Sequence, residues 1–227
     1  MKDRKKLFMA AVTAGALSAG MFAVQATQAA EDQPPMTFFI TSTDQSGDFG
    51  GLGGADALCR RLARAAGSPV TRNWAAYLST QGAGVTNARD RIGNGPWHNA
   101  NGVMIASDLD DLHGDTNRDS NYIIAETGVD ENGEPIPGRF DRPEGVGNKH
   151  DILTGSDSMG MAYAGDGDHT CNNWTSGGEG SAALGHFDRS GGGNNTSWNA
   201  AHGSRSCSLP DFNATGGAGK LYCFATN

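Results

Sequence analysis

The sequence has 227 residues and a formal net charge of −8 at pH 7. Such an acidic surface excludes nucleic acid as the expected partner, because binding phosphates takes clustered Lys and Arg. The 34 glycines and the 37% hydrophobic content indicate a chain rich in turns with a small core, and after the N-terminal region no segment is apolar enough to span a membrane.

The first 30 residues are predicted to be a signal peptide. A basic start from Lys2 to Lys6 leads into an apolar stretch from Leu7 to Val24, and small residues precede Glu31. The protein is therefore expected to be exported, to the periplasm, the outer surface or the extracellular space. Residues 31–227 are expected to form a single domain, whose formal charge falls from −8 to −11 without the four basic and one acidic residues of the signal.

Local patterns in the first half predict a strand, a helix and two further strands. Met36–Thr41 is apolar and aromatic, as in a buried strand, and a cluster of Gly, Asp and Ser follows it. From Ala55 to Gly67 apolar residues recur at helical spacing, and Cys59 lies on the apolar face. Trp74–Leu78 and Gly102–Ala106 are predicted as the second and third strands.

The second half is predicted to contain a long loop region and a final buried strand. Residues 108–149 are acidic, are interrupted by Gly and Pro, and show little apolar periodicity. Loops of that length are usually functional or mobile. In Leu221–Ala225 both alternating faces are apolar, which predicts a strand covered on two sides. Together these elements predict an α+β domain.

Four cysteines follow the predicted signal peptide, and they are Cys59, Cys171, Cys207 and Cys223. In an oxidising compartment they are expected to form two disulfides. Four cysteines allow three connectivities, and the residues alone do not choose among them.

Several segments resemble endostatin, the C-terminal domain of certain collagens. The match runs in order over nearly all of residues 36–225 and includes GGLGGADALCRRLARAAG, WAAYLS, GVMIASDLDDL, HDILTGSD, CNNW and LYCFA. The sequence is also similar to a family of exported bacterial proteins often labelled lectin-like or endostatin-like, through ARDRIGNGPW, DLDDLHGD, HDILTGS, CNNWTSG, GHFDR and SWNAAH. The resemblance implies a C-type-lectin-like fold with small antiparallel sheets, flanking helices, a long loop region and two nested disulfides. It implies that these pair Cys59 with Cys223 and Cys171 with Cys207.

Calcium is the one cofactor that the resemblance suggests, and the sequence alone establishes none. Sugar-binding C-type lectins hold Ca²⁺ with Glu-Pro-Asn or Gln-Pro-Asp and with Trp-Asn-Asp. Neither of the first two tripeptides occurs here, and Trp198–Ala200 lacks the carboxylate of the third. An EF-hand-like spacing of oxygen ligands begins at Asp115, but Ser120 replaces its glycine. The carboxylates that could still contribute to a calcium site are Asp108, Asp110, Asp166 and Asp168.

The sequence offers no zinc motif and no catalytic motif. Its six histidines lack the short spacings of zinc sites, and the N-terminal segment that binds zinc in endostatin has no histidine here. The histidines are therefore expected to be structural or to lie on the surface. There is no nucleophile elbow, P-loop or dinucleotide fingerprint. His186, Asp188 and Ser190 could form a triad, but such residues occur in a polar loop by composition alone, so a non-enzyme is predicted.

These patterns favour a recognition domain that binds a glycan or an extracellular protein through its loops. Aromatic side chains in loops stack on sugars and anchor protein interfaces at a low entropic cost. The candidate ligand-binding residues are Arg89, Arg91, Trp97, Trp198 and Asn199. Two alternatives stay open, namely a surface adhesin or structural protein that binds host or matrix proteins, and a hydrolase.

Overall fold

The structure is a computed structural model that describes residues 33–114, 120–191 and 196–227. Residues 35–227 form one compact unit. The predicted signal peptide, residues 1–30, lies outside the described residues. Residues 35–227 contain both helices and strands, which confirms the predicted α+β class. In the described part of the chain, no helix is long and apolar enough to cross a membrane.

The described residues contain eight strands, four helices and one 3-10 turn. The strands are β1 (Phe38–Ile40), β2 (Trp74–Ala76), β3 (Trp97–His98), β4 (Met104–Ala106), β5 (Asp151–Leu153), β6 (Ala183–His186), β7 (His202–Gly203) and β8 (Gly217–Ala225). The helices are α1 (Gly51–Ala65), α2 (Leu109–His113), α3 (Cys171–Trp174) and α4 (Leu209–Thr215), and the 3-10 turn is Ala88–Arg91.

The main sheet is built around β8. Strands β1 and β2 both pair with β8 antiparallel, and β5 pairs with it parallel. Strands β6 and β7 extend the sheet in the order β1-β8-β5-β6-β7, while β3 and β4 form a separate pair. The parallel pair departs from the antiparallel sheets that were expected. It is accommodated because the long connection between β5 and β8 lets the chain return in the same direction.

β8 is buried along its whole length, and both faces of its segment Leu221–Ala225 are apolar. Leu221, Cys223 and Ala225 belong to a core cluster that they share with the buried face of α1. Tyr222 and Phe224 belong to a second cluster on the opposite face. This is the strand covered on two sides that the alternation in LYCFA predicts.

Two nested disulfides close the domain. Cys59 of α1 is bonded to Cys223 of β8 across a separation of 164 residues, and Cys171 is bonded to Cys207 across 36 residues. This is the pairing that the resemblance implies. In the chain-entropy model the outer loop stabilises the folded state by about 5 kcal/mol and the inner loop by about 4 kcal/mol, although nested loops share part of that entropy.

The described residues of the predicted loop region 108–149 contain one short helix, α2, that apolar periodicity does not indicate. Asp108 caps its first turn, because its side chain accepts a hydrogen bond from the backbone N–H of Asp111. Gly114 ends the helix in the left-handed conformation, with φ 71°. The helix is defined by these two caps more than by an apolar face, and caps of this kind are visible in the sequence.

Helix α3 is a left-handed turn, since all four of its residues have φ between 49° and 67°. Residues other than glycine adopt this conformation at a cost of about 1–2 kcal/mol each. Neighbouring contacts hold the turn in place. The indole N–H of Trp174 donates to the Ser79 carbonyl at 2.7 Å, and the Asn173 side chain accepts from the backbone N–H of Gln81 at 2.7 Å. The disulfide at Cys171 adds a covalent tie.

Candidate functional site

A cavity of about 420 Å³ opens beside Trp198 and Asn199. It lies between the end of α2, the loop that follows β5 and the segment before β7. Its lining includes His113, Ser158, Met159, Arg189, Thr196, Ser197, Trp198 and Asn199. Two of the five ligand-binding residues predicted from the sequence, Trp198 and Asn199, therefore contribute to it.

The floor of the cavity is a buried hydrogen-bond network. The Asn199 amide donates to the Tyr77 hydroxyl at 3.0 Å, and that hydroxyl lies 2.8 Å from Nε2 of His113. His113 Nδ1 lies 2.9 Å from the Leu109 carbonyl, to which it can donate. Burial raises the pKa of Tyr77 well above its usual value, so this hydroxyl stays protonated. A network satisfied in this way holds its members in fixed positions.

Trp198 forms a wall of the cavity and has little exposed surface. Its ring packs 4.9 Å from the Tyr77 ring and 5.3 Å from the Tyr222 ring, and it is 4% exposed. The Tyr222 hydroxyl donates to the Trp198 carbonyl at 2.7 Å. The indole is therefore held rigidly, and a bound molecule could contact only its exposed edge.

Arg189 also lines the cavity, in a strained backbone conformation. Its φ is 50°, which a side chain other than glycine rarely adopts. Its Nε donates to the Ile123 carbonyl at 2.8 Å, and its Nη2 donates to Oδ1 of Asn121 at 2.6 Å. These bonds connect the turn after β6 to the loop region. Backbone strain of this kind persists only where the surroundings enforce it, and it is common at binding sites.

The other predicted ligand-binding residues lie elsewhere. Both oxygens of Asp56 lie 2.8 Å from Nη2 of Arg91, and the Arg91 side chain is 11% exposed. Trp97 is 1% exposed, and its indole N–H donates to the Ala225 carbonyl. Arg89 Nη1 donates to the carbonyl of Met159 at 3.0 Å, next to the cavity. Arg91 and Trp97 therefore stabilise the fold, and Arg89 supports a wall of the cavity.

The predicted calcium ligands lie in two places, with Asp108 and Asp110 at the start of α2 and Asp166 and Asp168 together beside α3. Asp108 caps α2, and Asp110 and Asp166 are exposed. Asp168 accepts hydrogen bonds from the backbone N–H groups of Thr170, Asn172 and Ser181. Among the described residues, none of these aspartates belongs to a group of three or more His, Cys, Asp or Glu side chains close enough to share an ion. The EF-hand-like positions 115–119 lie outside the described residues.

Asp168 is expected to stabilise the left-handed turn α3 through the hydrogen bonds that its carboxylate accepts. Replacing Asp168 with Ala should lower the free energy of unfolding by about 2–3 kcal/mol, because several backbone N–H groups lose a charged acceptor. Asp166→Ala removes the same charge from an exposed position and should change stability by less than about 0.5 kcal/mol. Urea unfolding of both variants tests this, and equal losses would contradict the assigned role of Asp168.

Three histidines converge on one buried carboxylate in the main sheet. Oδ1 of Asp151 lies 3.1 Å from Nε2 of His150, 3.1 Å from Nε2 of His186 and 3.6 Å from Nε2 of His202. The Asp151 side chain is 1% exposed, whereas that of His202 is 33% exposed. The ring of His186 stacks on that of His150 at 4.1 Å and meets that of His202 edge-on at 4.9 Å. We call these four residues the histidine cluster.

The strands β5, β6 and β7 bring the histidine cluster together. Asp151 of β5 lies opposite His186 of β6, and His202 of β7 lies opposite Leu184 of β6. The sequence interpretation, in which the histidines were scattered structural or surface residues, missed this arrangement. One sequence feature could have indicated the cluster. The segments HDIL and GHFD place charged or titratable side chains in strands that are otherwise apolar.

A second carboxylate, that of Asp188, contacts the cluster through the other ring nitrogen of His150. Nδ1 of His150 lies 3.0 Å from Oδ1 of Asp188 and 3.3 Å from Oγ of Ser190. The histidine that contacts Asp188 and Ser190 is therefore His150, whereas the triad considered from the sequence contained His186. Both contacts involve the same imidazole nitrogen, whereas a relay triad uses one nitrogen for the carboxylate and the other for the hydroxyl.

Buried charges shift the pKa values in the cluster. Burial lowers the pKa of His150, but Asp151 and Asp188 outweigh it and raise that pKa to about 9. Contact with Asp151 likewise raises the pKa of His202. Burial raises the pKa of Asp151, but the three surrounding imidazoles outweigh it and hold the pKa below its usual range. The cluster thus favours an ionised carboxylate with positive charge around it.

No protein-family model matches this sequence, and no curated protein is significantly similar to it. The function must therefore be argued from the cavity and from the histidine cluster.

Proposed function

We propose that this chain is an exported, non-enzymatic recognition domain with a C-type-lectin-like, endostatin-like fold, and that it binds a sugar unit of a glycan in the cavity beside Trp198 and Asn199. The observation that carries the proposal is the cavity itself. Its volume of about 420 Å³ is within the range of small-molecule sites. Its location on irregular segments held by a rigid scaffold is typical of recognition surfaces.

The chemistry of the walls suits a sugar. Ser158, Thr196 and Ser197 bring hydroxyl groups, which can exchange hydrogen bonds with sugar hydroxyls. Met159 and the edge of Trp198 supply apolar surface for the C–H groups of a sugar ring. Sites that combine apolar contact with a few fixed polar groups bind small ligands with defined orientation. No calcium ion is required by this arrangement.

The disulfides and the chain termini support the fold and export parts of the proposal. The outer disulfide joins α1 to the last strand, and β1 pairs antiparallel with that strand, so the beginning and end of the domain are fastened together. This agrees with the organisation that the resemblance to endostatin implies. Disulfides persist in oxidising compartments, which is consistent with an exported protein.

A cavity-filling variant tests the proposed function. Ser158→Trp should obstruct the cavity and weaken binding of a sugar hit, identified on a glycan array, by roughly tenfold or more, as judged by titration calorimetry. Val70→Trp adds the same side chain at a position that is 72% exposed and outside the lining, so it should leave binding unchanged. Binding should also persist after removal of calcium with EGTA.

Two outcomes would overturn the proposal. One is the absence of any glycan that binds the wild-type chain. The other is sugar binding that Ser158→Trp leaves as tight as in the wild type. Sugar binding that is lost when calcium is removed would indicate that the sugar binds at the acidic residues and not in the cavity.

A protein partner is the second candidate, favoured by one exposed aromatic residue. Phe140 is 75% exposed, and the guanidinium carbon of Arg139 lies 5.4 Å from its ring centre. Aromatic and Arg side chains are enriched in protein interfaces. Binding to immobilised matrix proteins that Phe140→Ser abolishes and Ser158→Trp preserves would support an adhesin.

A further inference from the structure

We propose that His150, Asp151, His186 and His202 form a binding site for one zinc ion. This inference goes beyond the proposed sugar recognition and does not depend on it. It rests on the position of one carboxylate, on the orientation of two imidazoles, on the spacing of four ligand atoms and on a supporting outer carboxylate.

The carboxylate of Asp151 is buried without a hydrogen bond. Neither oxygen has a partner in hydrogen-bond geometry among the described residues, although three imidazole nitrogens lie 3.1–3.6 Å from Oδ1. An ionised carboxylate in that situation is strongly destabilising unless a cation compensates it. A cation held between the carboxylate and these nitrogen atoms would compensate that charge.

The orientation of two histidines leaves Nε2 as the coordinating atom. Nδ1 of His150 faces the carboxylate of Asp188 at 3.0 Å, and Nδ1 of His202 faces the carbonyl of Gly203 at 3.0 Å. Both partners only accept hydrogen bonds, so each Nδ1 carries a proton. With Nδ1 protonated, Nε2 is the nitrogen that remains to coordinate an ion, and in both residues it is the atom nearest to Asp151 Oδ1.

The spacing of the atoms fits a tetrahedral ion. Ligands at zinc–nitrogen and zinc–oxygen distances of about 2.0–2.2 Å lie about 3.3–3.5 Å apart in a tetrahedron. The observed separations from Oδ1 of Asp151 are 3.1, 3.1 and 3.6 Å. The ligand atoms of His150, Asp151 and His186 all lie within 4.8 Å of one another, whereas His202 lies outside that group. Three ligands are therefore in place, and a movement of the partly exposed His202 side chain would supply the fourth.

The ligand types select zinc over calcium and magnesium. Imidazole nitrogen suits zinc and its neighbours in the first transition series, whereas calcium and magnesium take oxygen ligands. The contact of Asp188 with the far side of His150 is the outer carboxylate that commonly orients a zinc-bound histidine. His202 lies at the rim, 33% exposed, so an ion can enter beside it.

Protons are the competing explanation for the cluster. Protonated His150 and His202 would also compensate Asp151, because contact with that carboxylate raises the pKa of both histidines. The two explanations differ in what added metal does. A cluster held by protons binds no zinc, whereas a metal site takes up one ion.

Metal titration of the oxidised full chain tests the site. The wild type should bind one equivalent of zinc by mass spectrometry, and Co²⁺ should give the intense visible absorption of a tetrahedral complex. His186→Gln and His202→Gln should each weaken zinc binding by at least tenfold. His98→Gln, which changes a half-buried histidine outside the cluster, should bind zinc as the wild type does.

A second variant keeps the test decisive if His186→Gln does not fold. Asp188→Asn leaves all four ligands in place and should weaken zinc binding by roughly 10–100-fold, as changes to outer partners of zinc ligands do. Absence of zinc and of the tetrahedral Co²⁺ spectrum in the wild type would overturn the proposal. So would zinc binding of equal strength in the wild type, His202→Gln and Asp188→Asn, because the ion would then lie elsewhere.

Discussion

Zinc should raise the thermal stability of the metal-free protein by a large margin. An ion that binds only the folded state stabilises it by about 4 kcal/mol when its free concentration is a thousand times its Kd. For a domain of this size that corresponds to a rise in Tm of roughly 8–16 °C. The physical reason is the buried carboxylate of Asp151, which has no hydrogen-bond partner among the described residues and gains a cation.

Calorimetric scans with chelator, with zinc and with calcium measure this effect. Calcium should leave Tm unchanged, because three of the four ligand atoms are imidazole nitrogens. His202→Gln should lose most of the zinc-dependent rise, whereas His98→Gln should keep it. Equal melting temperatures with chelator and with zinc would show that the cluster is stable without an ion.

Removal of the outer disulfide should be about as destabilising as removal of the metal. The double variant Cys59→Ala with Cys223→Ala opens a loop of 164 residues, and we expect it to lower the free energy of unfolding by about 5 kcal/mol. Both half-cystines are completely buried in the first core cluster, so loss of packing adds to the effect. Urea unfolding under oxidising conditions provides the measurement.

Removal of the inner disulfide provides a comparison, because its loop is shorter and the expected loss of stability is smaller. Cys171→Ala with Cys207→Ala opens a loop of only 36 residues, with an expected loss of about 4 kcal/mol. It also frees the left-handed turn at Cys171–Trp174, so its unfolding should begin near that turn, with early exposure of Trp174 to solvent. A variant without the outer bridge that unfolded at the wild-type urea concentration would contradict the role given to the Cys59–Cys223 link.

The cavity and the histidine cluster share structural elements. His186 of β6 donates its backbone N–H to the Ser197 carbonyl at 2.9 Å, and Ser197 lines the cavity. Arg189, which also lines the cavity, follows directly after Asp188, whose carboxylate contacts His150. An ion bound by the cluster would therefore fix two of the segments that line the cavity.

The sequence was sufficient to predict those elements whose buried face follows from the spacing of apolar residues. Leu58, Cys59 and Leu62 recur at helical spacing, and α1 buries them. The alternation in LYCFA likewise gives β8 its two covered faces. In both cases a single local element carries the information, because the period of the apolar residues matches the period of the structure.

The histidine cluster could not be predicted in that way. Asp151, His186 and His202 meet only because β5, β6 and β7 pair in a particular order and register, and such pairing between distant segments is not encoded in local spacing. Trp97 illustrates the same limit for exposure. It follows a Gly-Pro turn and was a candidate contact residue, but its ring packs against Phe224 of β8 at 5.3 Å in the core.

The most direct test of the account is anomalous X-ray scattering at the zinc edge from crystals of the zinc-loaded protein. We expect one strong peak bounded by Nε2 of His150, His186 and His202 and by Oδ1 of Asp151. A map without a peak there, in which hydrogen bonds from the imidazoles reach Asp151 directly, would contradict it.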